Sequence, residues 1–152
     1  MLLSPFWVLA LVLCQDGLGT IERSCGEKAV FATVTSLGVD CDIISVSDSY
    51  RKLGLGDTCS LLDLTNLLDE FELQSCIINI PNRKVDILPI GSIVHIHNAP
   101  SGHFSTFLGV EDGGVILANA PMPLMRMPLS DFKKVWSGKA IAVFRTHKEL
   151  EL

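Results

Sequence analysis

The chain changes its hydrophobic period near residue 74, and that change limits the folds open to it. Upstream, apolar residues recur at helical spacing. Ser24 and Glu27 have the spacing of a capping box ahead of Ala29, Val30, Ala32 and Val34, and Gly38 is a natural stop, so a helix is expected over residues 24–37. A second helix is expected over 45–53, ending at Gly54. A third is expected over 58–71, where Leu61, Leu62, Leu64, Leu67, Leu68 and Phe71 recur at helical spacing. Downstream the apolar residues come in short, β-branched runs. Residues 74–80 stop at Pro81, and 91–97 alternate. Residues 103–110 and 115–119 flank Glu111-Asp112-Gly113-Gly114, which reads as a hairpin turn. A short helix over 129–135 and a strand over 139–144 close the pattern. Helices first and strands second give an α+β class, a helical N-terminal half packed on an antiparallel sheet. Leu61, Leu64, Leu68, Phe71, Val94, Ile96, Phe107 and Val110 are expected in the core, with Trp136 as a packing residue.

The 152 residues suffice for one domain, expected over 21–147 with a polar tail at 148–152. The formal net charge is -5, which argues against a basic surface for nucleic acid or anionic lipid. Residues 2–13 are apolar apart from Ser4, and they are followed by Gln15, Asp16 and Gly17. Such a run has the length of a signal-peptide core and is short for a membrane span, although no Lys or Arg precedes it. Residues 1–20 therefore read as a signal peptide or a short membrane anchor. Lipidation at Cys14 is the alternative, although Leu13 is larger than the small residue that usually precedes such a cysteine. The domain is expected outside the cytoplasm, whether periplasmic, secreted or held at a membrane through this segment.

None of Cys14, Cys25, Cys41, Cys59 and Cys76 forms a CxxC pair, which argues against a zinc or thioredoxin-type site. Cys41, Cys59 and Cys76 either include one disulfide or are small buried apolar residues. His95 and His97 share one face of a strand, but no third ligand is evident, so neither a metal nor a cofactor is expected.

Thiol chemistry has more support. A thiolate is favoured at a helix N-terminus, where free N–H groups and the helix dipole attract negative charge, and Cys25 follows the expected cap directly. Gly26 beside it would let a substrate backbone approach, and a neighbouring N–H could stabilise an oxyanion. His103 opens a strand after Gly102, well placed to face a cleft as a base. His147 lies in the polar tail. Asn119 ends the partner strand of the hairpin, where an amide oxygen could hold the tautomer of His103.

These segments resemble the bacteriocin-processing, double-glycine leader peptidases, a group of papain-like cysteine peptidases. Ser24-Cys25-Gly26 is similar to the family's acidic-Cys-Gly motif. Val46 to Leu53 and then Gly56-Asp57-Thr58-Cys59-Ser60-Leu61 resemble its second helix and the segment that follows. Gly102-His103-Phe104 is similar to its histidine motif, Asn119-Ala120-Pro121 stands where it carries Asp-Pro, and Phe132 to Gly138 resembles its closing segment. The resemblance implies a papain-like fold that cleaves a peptide or protein substrate through a thioester. Cys25 would be the nucleophile, His103 the base and then acid, and Asn119 the group that orients His103.

The chain departs from that pattern twice. Gly19 stands where the family has a glutamine that donates to the oxyanion, and the nearest glutamine is Gln15. Losing one such donor typically costs about 100- to 1,000-fold in turnover. The family's typical member is fused to a membrane transporter, and a freestanding domain is expected here. Three readings stay open: an active thiol peptidase, a catalytically degenerate domain that binds peptides, and a thiol acyl-transferase or amidase on the same fold.

Overall fold

A computed structural model describes residues 23–97, 102–119 and 122–145, with the side chains of residues 119, 122 and 123 left aside. The expectations placed on residues 1–20, on Cys14, Gln15 and Gly19, and on His147 lie outside the described residues. Helix α1 spans Cys25–Ser36, α2 spans Ile43–Lys52 and α3 spans Leu61–Asp69. Strand β1 (Gln74–Asn79) and a 3-10 turn at Val85–Ile87 lead to β2 (Ile93–Ile96). Strands β3 (His103–Glu111), β4 (Gly114–Asn119) and β5 (Met122–Pro128) follow, then α4 (Leu129–Val135) and β6 (Trp136–Phe144). The strands form one antiparallel sheet in the order β1-β6-β2-β3-β4-β5.

Strand alternation divides the interior in two. Ile93, Phe104, Ile141 and Val143 pack against the helices, among them Val30, Val34, Leu64 and Leu68. Val94, Ile96, Phe107 and Ala140 belong to a second cluster with Leu88, Phe132 and Trp136. Trp136 packs as expected: it is fully buried, lies 5.3 Å from the Phe132 ring and donates from Nε1 to the Lys139 carbonyl at 2.9 Å.

The fold is α+β as the sequence indicates, with differences in detail. Helix α2 starts at Ile43 because Asp42 is its cap, accepting from the Ser45 N–H at 2.7 Å. Helix α3 starts at Leu61 behind a Ser60–Asp63 capping box and ends at Asp69, so Phe71 packs from the turn beyond it. Val110 is not core: it is 47% exposed, near the tip of the β3–β4 hairpin. Strand β5 was not anticipated. Its Met-Pro-Leu-Met-Arg-Met-Pro sequence lacks β-branched residues, and its prolines suit only the sheet edge it occupies. Strand β6 begins at Trp136 rather than Lys139, running through Gly138 at φ +86, where a Cβ would lie 2.8 Å from the Ile80 carbonyl. Cys41, Cys59 and Cys76 are free thiols. The first two are half-buried and Cys76 is exposed on β1, so neither the disulfide nor the full burial suggested for them is found. Among the described residues, no helix is long and apolar enough to cross a membrane.

Helix α1 is fixed to the sheet by two fully buried hydroxyls. Thr106 on β3 donates to the Ala29 carbonyl at 2.7 Å, and Thr33 on α1 donates to the Gly91 carbonyl at 2.9 Å. Each hydroxyl spends its only proton on a backbone acceptor, and the two oxygens meet at 3.3 Å. Thr106→Val preserves the shape and removes this donor. The expected loss is about 1–3 kcal/mol in urea unfolding, the usual range for a broken buried hydrogen bond, and an unchanged midpoint would contradict the clamp.

Candidate active site

Local sequence fixes the start of α1. Ser24 accepts from the Glu27 N–H at 3.2 Å, and the Glu27 carboxylate accepts from the Ser24 N–H at 2.9 Å. This reciprocal cap makes Cys25 the first helical residue. Ala29 lies one turn further along the same face and is held to Thr106. Thr106 follows His103 by three residues on β3. The clamp therefore sets the start of α1 against the start of β3.

Cys25 and His103 are brought together by this alignment. Burial raises the Cys25 thiol, but several favourable contacts outweigh it and hold the group below the ordinary value of 9.0. They are a hydrogen bond from the His103 side chain, the Phe104 N–H, the positive charge of His103 and the Gly26 N–H. A second thiol close by is treated in the opposite sense. Cys59 is pushed up, first by burial and then by the negative charges of Cys25, Asp63 and Glu27, against a lowering hydrogen bond from Tyr50. Of these two half-buried thiols, only Cys25 is held below the ordinary value, so it ionises more readily than Cys59.

Asn119 ends β4, and its backbone pairs with Met122 of β5. Thr106 pairs with Ala118, so β4 runs out toward the His103 end of β3. The orientation expected for the Asn119 side chain lies outside the described residues. His95 and His97 have rings 4.8 Å apart, edge to face. Among the described residues, no cluster of three or more His, Cys, Asp or Glu could hold a metal ion.

Gly26 has a different role from the one expected. It is buried, and a Cβ there would lie 2.6 Å from the Cys59 Sγ and 3.0 Å from a Leu64 methyl. The missing side chain admits the α3 region behind the helix start rather than a substrate. Three contributors gave no signal in the sequence: the Phe104 N–H, the Thr33–Thr106 clamp and Cys59 behind Gly26. All three depend on tertiary neighbours. Between the start of α1 and α2 lies a groove of about 500 Å³, lined by Ser24, Glu27, Ile44, Tyr50, Arg51 and Asp57 among others.

The profile of the Peptidase C39 family matches residues 20–148. The chain belongs to this family. No curated protein matches it, but solved C39 and related peptidase domains share its fold. The peptidase domain of Streptococcus ComA, a bifunctional ABC transporter involved in a quorum-sensing pathway, has a TM-score of 0.68 at 16% identity, covering 82% of this chain and 93% of that one. A double-glycine-motif protease from an AMS/PCAT transporter, solved with its leader peptide, gives 0.67 at 13% identity, covering 83% and 88%. The peptidase C39-like domain of a toxin-secretion ATP-binding protein from Vibrio parahaemolyticus gives 0.60 at 10% identity, covering 84% and 100%. The chain is thus a cysteine peptidase-like C39 domain with a papain-like α+β fold.

In this C39 domain, Gly26→Ala is expected to cost about 1–3 kcal/mol, since an extra methyl in a packed site forces its neighbours to move. Cys59→Ala in the same chain removes the closest obstacle and should recover most of the loss in thermal unfolding. Equal losses with and without Cys59 would show that Cys59 does not restrict the site.

Proposed function

We propose that the chain is an active cysteine peptidase, with Cys25 as nucleophile, His103 as general base and acid, and Asn119 as the residue that orients His103. One observation carries the reading: hydrogen bonds from His103 and from two backbone N–H groups hold a half-buried Cys25 below the ordinary thiol range. In the reaction, the Cys25 thiolate adds to the scissile carbonyl carbon. The tetrahedral adduct collapses as His103 gives a proton to the departing amine, leaving a thioester. His103 then takes a proton from water, the hydroxide adds to the thioester, and collapse returns the thiolate and a carboxylic acid.

The relatives' double-glycine leader peptides supply the substrate class to test. The groove beside the start of α1 offers apolar and charged walls to a bound peptide. Residues 1–20, read as a signal peptide or short anchor, would place this activity outside the cytoplasm or at a membrane. Gly19, standing where the family carries its oxyanion glutamine, favours one other reading: a domain that binds such peptides without cutting them.

The test is incubation with synthetic leader peptides ending in a double glycine, followed by mass spectrometry. The parent should cut them at the double glycine, and Cys25→Ala should abolish cleavage with an unchanged melting transition. His103→Ala should lose about 100- to 10,000-fold in kcat, the usual contribution of a positioned base. Saturable binding that survives Cys25→Ala, with no cleavage by the parent, would overturn the proposal in favour of binding alone.

A further inference from the structure

His95 has no part in the proposed chemistry, yet it packs against both sequence neighbours of His103. It pairs across the sheet with Phe104, and the two rings lie 5.4 Å apart at a tilt of 51°. Its other contact is with Gly102. A Cβ on Gly102 would overlap the His95 Nε2 and lie 3.1 Å from Cε1, so the imidazole edge sits directly against the glycine backbone. Gly102 has φ +69, a conformation that further restricts this position to glycine. The β2–β6 pairing shifts register between Val94 and Ile96, where the extra residues Ser137, Gly138 and Lys139 of β6 stand opposite His95, while β2 keeps regular register with β3.

We infer that His95 is a positioning residue for His103. Wedged between Gly102 and Phe104, it fixes the backbone on both sides of the catalytic imidazole. It thereby aligns both the His103 ring and the Phe104 N–H on the Cys25 sulfur. The inference rests on the Cys25–His103 reading above. The charged and titratable groups facing His95 are His97, edge-on, and Lys139 from β6. Burial, followed by these two positive neighbours, holds His95 below its ordinary value of 6.5, so the wedge is a neutral ring at neutral pH.

The test reads the pH profile of iodoacetamide alkylation at Cys25, which needs no peptide substrate. Parent, His95→Ala, His95→Gln and Gly102→Ala proteins are compared, each checked for a folded melting transition. Only the thiolate reacts, so a displaced His103 shifts the profile upward. His95→Ala should move the midpoint toward the ordinary thiol value and slow labelling at pH 7 by on the order of tenfold. His95→Gln, whose amide reaches the position of Nε2, should restore much of the parent profile. Gly102→Ala, which forces the backbone off His95, should reproduce the upward shift even if His95→Ala fails to fold. Parent-like profiles in folded His95→Ala or Gly102→Ala would overturn the role of His95. A parent profile like that of an ordinary thiol would overturn the activated pair itself, and the role of His95 with it. A parent profile shifted below the ordinary thiol range, without peptide cleavage, would count against the proposed substrate alone.

Discussion

Thr106 reaches from β3 to the Ala29 carbonyl of α1 at 2.7 Å, in an interior where neither Thr106 nor Thr33 touches solvent. Everything proposed at the site depends on this contact. A helix laid on a sheet by apolar packing alone could slide or rotate with little penalty, because apolar contacts are non-directional. A buried hydroxyl tied to one carbonyl cannot, since losing its partner costs about 1–3 kcal/mol. Ala29 is one turn from Cys25, and Thr106 is three residues from His103, so the clamp sets the helix in register where Cys25 and His103 meet.

The same helix start separates two thiols that the sequence does not rank. Cys25 and Cys59 share this region and similar burial, and both are penalised for it. Cys25 is compensated by His103, by the Phe104 N–H of β3 and by the Gly26 N–H at the helix start. Cys59 sits behind Gly26, among negative neighbours and the Tyr50 hydroxyl, and stays protonated. The neighbours each thiol meets, His103 and the Phe104 N–H above all, set the two apart.

The parts legible in the sequence were those with local causes. The Ser24–Glu27 box gave α1 and therefore the place of Cys25. Asp112 and Gly113, at φ +47 and +73, form the two-residue turn that the β3–β4 hairpin required. Gly102-His103-Phe104 marked the start of β3 without revealing what holds it there. What escaped notice was set by distant partners. In the sequence Gly26 reads as an opening for substrate, because Cys59 is far along the chain and only the fold brings it against the glycine. His95 read as half of an incomplete metal pair because its contacts with Gly102 and Phe104 exist only once β2 and β3 are paired. Strand β5 carried no β-branched signal, and only its place at the sheet edge makes its prolines admissible. Val110 alternated correctly for a strand, yet it lies beyond the part of the hairpin that the core covers.

The most direct measurement of the central claim is the rate of iodoacetamide labelling at Cys25 across pH, in the parent and in His103→Ala. Depression of the thiol by His103 predicts a parent midpoint below the ordinary 9.0. It predicts a rise in His103→Ala, where burial is left opposed only by the backbone donors. A parent midpoint at or above that value, or superimposable profiles for the two proteins, would contradict the activated pair on which the account rests.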